Sequence, residues 1–92
     1  MTHNERLLHL ESLGWHQNVD GGGNEMFGEL CACIEGKISG VDWSGWIGKT
    51  TGTVYLHGNP PIDLEFEAFC KTVRDGWQEK KKATAGRSLF EN

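Results

Sequence analysis

Phe66, Phe69, Cys70, Val73 and Trp77 recur at i, i+3, i+4, i+7 and i+11, the period of a helix with one apolar face. Such a face is stable only against another apolar surface. In a chain of 92 residues that surface must come from the residues before it. Asp63 is placed to cap the helix ahead of Leu64. Glu65 and Glu67 fall in its first turn and Lys80-Lys81-Lys82 near its end, both matching the helix dipole. Gly76 weakens it by about 1 kcal/mol relative to Ala. Residues 83–92 carry little pattern and read as a flexible tail, which leaves residues 1–82 as a single domain.

The complementary surface reads as a small sheet. Ile38, Val41, Trp43, Trp46 and Ile47 lead into Thr51-Gly52-Thr53-Val54-Tyr55-Leu56-His57. Ser44-Gly45 and Gly48-Lys49 are the turn candidates, and Pro60-Pro61 ends the run because proline cannot donate to a ladder. Residues 25–35 fit two periods. As a helix, Phe27, Leu30, Cys31 and Ile34 share one side. As a strand, Met26, Leu30, Ala32 and Ile34 share one face and Phe27, Glu29, Cys31, Cys33 and Glu35 the other. The strand is preferred because a small sheet wants a third member. The helix over a two-stranded hairpin remains the alternative.

At the N-terminal end, Thr2-x-x-Glu5 has capping-box spacing, and Leu7, Leu10 and Leu13 follow at helical spacing. Gly14 ends this helix at about residues 3–13, and Trp15 is placed to fold back on its last turn. His16 to Asn24 reads as a loop hinged on Gly21-Gly22-Gly23, either mobile or in close contact with something. The expected fold is therefore α+β: a short N-terminal helix, an antiparallel sheet of two or three strands, and a C-terminal amphipathic helix packed on the sheet.

Composition limits what such a fold can do. Leu, Ile, Val and Phe total 20 of 92 residues, enough for a thin core. Four Trp exceed what that core needs, which leaves one or two for a binding surface. Residues 1–70 hold ten acids against three Lys or Arg, and residues 71–92 hold six Lys or Arg against three acids. An acidic body repels phosphate. It argues against direct nucleic-acid binding and for a protein partner with a basic surface. Three cysteines and no apolar leader point to a reduced, cytoplasmic setting. No run approaches the length of a membrane span.

Candidate chemistry is sparse. Gly45-Trp46-Ile47-Gly48-Lys49-Thr50 resembles part of a phosphate loop, but Trp43 stands where its first glycine is required. Cys31, Cys33 and Cys70 with His57 could hold zinc. On a strand the first two would share a face about 6.5–7 Å apart, although the usual Cys-x₂₋₄-Cys spacing is missing. No cationic pocket surrounds Cys31 or Cys33 to activate a thiol, and no cofactor is implied. Asp42-Trp43-Ser44-Gly45-Trp46 is the strongest binding candidate: Trp43 and Trp46, brought together by a turn or bulge, with Asp42 beside them. The functional expectation is a non-enzymatic protein-binding module, an inhibitor or adaptor of the kind phages and mobile elements carry, acting on a partner such as a nucleic-acid-handling complex. A zinc-stabilised domain is the alternative. Thr53–His57, placed at a sheet edge, would permit a homodimer or strand addition to a partner.

Overall fold

The structure, a computed structural model, describes residues 1–18, 23–58 and 60–77. Helix α1 spans His3–Ser12. Its capping box is complete: the Thr2 amide donates to Glu5 Oε1 at 2.7 Å, and the Glu5 amide donates to Thr2 Oγ1 at 3.2 Å. Gly14, at φ +90°, turns the chain out of the helix. The Trp15 amide then donates back to the Leu10 carbonyl at 2.9 Å.

Six strands follow among the described residues: β1 (His16–Gln17), β2 (Gly23–Met26), β3 (Glu29–Ile38), β4 (Val41–Gly48), β5 (Val54–Leu56) and β6 (Ile62–Leu64). Every pairing is antiparallel, in the order β1-β3-β4-β5-β6, with β2 also paired to β3. Helix α2, Phe66–Asp75, closes the described fold. The α+β architecture with a helix at each end is as expected, but the sheet is twice the expected size.

Several local readings need correction. The segment read as a loop contributes β1 and part of β2, and its residues 19–22 lie outside the described set. Residues 29–35 are strand, but Phe27 and Gly28 turn the chain just before them. Met26 therefore pairs with Glu29 and shares its face rather than that of Leu30. Ser44-Gly45 is not a turn; it lies inside an unbroken β3–β4 register from Cys31↔Gly48 to Ile38↔Val41. The reversal falls at Ser39-Gly40, with φ of +52° and +80°, the left-handed pair that a two-residue hairpin requires. Asp63 does not cap α2. Ile62 and Leu64 alternate around it and pair with Leu56 and Val54, and the cap passes to Glu65. Gly76, at φ +86°, stops the helix rather than weakening its interior. Trp77 is then the stripe's last member just beyond the helix, and Lys80–Lys82 and residues 83–92 fall outside the described residues. Finally, β5 is no edge: it is paired on both sides, by β4 and β6, so Thr53–His57 does not offer the free edge that would permit a homodimer or strand addition.

The alternation of β3, β4 and β5 sends Ala32, Ile34, Ile38, Ile47, Val54 and Leu56 to one face. There they join Leu10, Trp15, Phe69 and Cys70 in a single buried cluster. Trp15 is its largest member and is fully buried. Its ring meets Phe69 edge-on at 4.9 Å, and its indole N–H donates to the Lys37 carbonyl at 3.0 Å. Gly36 makes room for it: a Cβ there would stand 2.4 Å from the indole. Both helices thus cover the same face of the sheet, and among the described residues no helix covers the other. No helix among the described residues is long and apolar enough to cross a membrane.

Candidate partner-binding face

The strand period that fills the core also builds the uncovered face. Cys33, Trp46, Tyr55 and Asp63 are consecutive cross-strand partners on β3, β4, β5 and β6, so one row crosses four strands on the side away from the helices. Phe27, in the β2–β3 turn, lies over this row. Its ring stacks on Tyr55 at 3.9 Å with the planes 11° apart. Phe27 remains 55 % exposed and holds φ at +54°. That region is rare for a bulky side chain and costs about 1–3 kcal/mol. Met26, Phe27, Trp46, Tyr55, His57 and Pro61 are among the residues that line a shallow cavity of about 280 Å³.

Trp46 and His57 are locked together. The Trp46 indole N–H donates to His57 Nε2 at 2.8 Å, and His57 Nδ1 lies 3.1 Å from Ser44 Oγ. An indole nitrogen only donates. His57 Nε2 must therefore be the acceptor, and the ring proton sits on Nδ1, from which it is donated to Ser44. The imidazole lone pair is spent on Trp46, so the Ser44–His57 contact runs opposite to the direction a serine nucleophile needs.

The hairpin bearing Phe27 is held by an internal anion. Glu29 Oε1 accepts from the Thr50 and Thr51 amides, each at 2.9 Å, and Oε2 accepts from Thr51 Oγ1 at 2.6 Å. These bonds, the Thr51 hydroxyl foremost, hold the carboxyl below its ordinary pKa although burial opposes them. Gly48 allows the approach, since a Cβ there would lie 2.4 Å from the carboxylate. Thr50, the last residue of the segment that resembles a phosphate loop, thus gives its amide to the chain's own Glu29.

The singled-out residues separate. Asp42 and Trp46 stand on the open face, where Asp42 accepts from Lys37 Nζ at 2.9 Å. Trp43 has opposite parity in a regular strand and no bulge brings it to Trp46. It packs on the core side against Trp77, ring centres 5.5 Å apart. Its indole N–H has no hydrogen-bond partner among the described residues. The zinc set separates too: Cys31 and Cys33 belong to the open face and Cys70 to the core. Among the described residues no cluster of three or more His, Cys, Asp or Glu side chains could hold a metal. Burial pushes all three thiols up. Glu29 adds to this at Cys31 and Glu35 at Cys33, while Arg74 opposes it at Cys70. Sequence reasoning found Trp46 but missed Phe27 and Tyr55. The signal for Tyr55 was the alternation within β5: Val54 and Leu56 face the core, so Tyr55 faces away, and its pairing with Trp46 sets the two side by side.

Compared with known proteins, the chain matches no family model, no curated protein and no solved structure.

Proposed function

We propose that the chain is a non-enzymatic protein-binding module, an inhibitor or adaptor, whose open sheet face receives an extended segment of a partner that carries arginine or lysine. The observation that supports this most is the Phe27–Tyr55 stack beside Trp46, uncovered by either helix and flanked by Asp63. Aromatic faces attract cations, and rigid aromatic side chains give contact area at little entropic cost. Among the described residues the face carries Glu35, Asp42 and Asp63; Glu35 meets His16 at 3.0 Å and Asp42 meets Lys37 at 2.9 Å, which leaves Asp63 as the acid with no ion pair. The Ser44–His57 tautomer favours binding over catalysis on the same face. Trp43 drops out of the contact surface and Phe27 and Tyr55 enter it.

A random decapeptide library, selected on the wild-type chain, tests the reading. Selected peptides are expected to be rich in arginine or lysine and to bind a Phe27→Asn/Tyr55→Ser variant at least about tenfold more weakly. Peptides without basic residues, or equal binding to a folded variant, would overturn it.

A further inference from the structure

The described residues contain five Lys or Arg side chains: Arg6, Lys37, Lys49, Lys71 and Arg74. Lys37 is ion-paired with Asp42. Arg6, Lys71 and Arg74 form no ion pair among the described residues and line one cleft of about 620 Å³, together with His9, Phe66 and Cys70. Its walls follow from helical spacing. Phe66, Cys70 and Arg74 form one row of α2 at i, i+4 and i+8, and Lys71 belongs to the neighbouring row. Arg6 and His9 face them from α1 at i and i+3. The His9 and Phe66 rings are 6.0 Å apart and tilted. Gly52 seats the Arg6 guanidinium, since a Cβ there would lie 2.5 Å from its Nε. Among the described residues that line the cleft, Glu67 is the one carboxylate.

Among the described residues, three side-chain cations against one carboxylate give this cleft an excess of two positive charges, in a chain whose formal charge is −4. A monoanion would leave half of it unmatched, whereas a dianion balances it. Guanidinium groups take phosphate oxygens two at a time, and the Phe66–Cys70 floor with the His9 ring offers apolar cover for what the phosphate is attached to.

We propose that the cleft between α1 and α2 is a binding site for a phosphate monoester carried on a planar or apolar group. The site lies on the helical side of the molecule, away from the open sheet face, and is independent of the function proposed for that face. Nucleotides and phosphotyrosyl peptides share this chemistry.

The test is an amide NMR titration of the whole chain with phenyl phosphate, with inorganic phosphate and phenol as controls. Saturable shifts are expected at Arg6–His9 and Phe66–Arg74, with phenyl phosphate binding more tightly than either control. Neutralising both α2 cations (Lys71→Gln with Arg74→Gln) should weaken binding about tenfold or more, with spectral dispersion unchanged. Should that variant fail to fold, added salt on the wild type reads the same charge dependence. No saturation, shifts centred elsewhere, equal effects from phenol, or indifference to both the substitutions and salt would overturn the proposal. Adenosine monophosphate and a short phosphotyrosyl peptide, compared in the same titration, separate the two sources by affinity.

Discussion

The two faces of the sheet are written on the same strands, one residue apart, and they hold their tryptophans in opposite ways. On the covered face Trp15 is fully buried, and its N–H is satisfied by a backbone carbonyl. On the open face Trp46 is half-buried, and its N–H is satisfied by another side chain, His57. The first arrangement makes the indole part of the fold's framework. The second keeps it in place without embedding it. A surplus of tryptophan therefore says little about binding until the partner of each N–H is known.

The largest test of this contrast is Trp15→Ala. Removing the ring from between Phe69 and Gly36 should cost about 3–5 kcal/mol, read as a shift in urea midpoint with the slope retained. A loss under about 1 kcal/mol would mean that the covered face does not depend on this indole.

Next comes Glu29→Gln, which loosens the turn beneath the open face by about 1 kcal/mol at neutral pH. Here pH supplies the sign. The folded carboxyl titrates below its ordinary value of 4.5. Its stabilising contribution is thus fully present above that value and is lost as pH falls through the lower, folded one. The gap in stability between wild type and variant should close on acidification below the ordinary carboxylate range. A gap that stays constant down to pH 2–3 (roughly two units below an ordinary Glu) would assign the effect to shape rather than charge.

The smallest effect expected is that of Phe27→Asn. It loses a stacking contact worth about 0.5–1.5 kcal/mol and relieves a left-handed backbone strain of similar size. The melting temperature should move by only a few degrees. A large drop would make Phe27 a structural residue and blur the difference between the faces.

Much of the covered face was legible in the sequence. The Thr2–Glu5 box, Gly14 and the stripe from Phe66 to Val73 are local signals with local causes, and the structure keeps each of them. The sheet was underestimated because β1, β2 and β6 have two to four residues each, too few to show a period. Two Ser-Gly dipeptides make the same point. Ser39-Gly40 reverses the chain, while Ser44-Gly45 runs straight through β4. Their difference is tertiary: Gly45 is paired on both sides, with Ile34 of β3 and Leu56 of β5. For the same reason the open face was legible only in part. Whether Trp43 and Trp46 meet depends on which dipeptide turns.

The unbroken ladder between β3 and β4 also determines where this chain can change length. Eight consecutive residue pairs leave no slack. One residue inserted between Trp43 and Trp46 would reverse the parity of part of β4, sending Ile47 outward or Trp43 away from Trp77. The same residue added at Ser39-Gly40 would only lengthen a hairpin tip. Drift in length should therefore gather at that tip and be purged from the strand beside it.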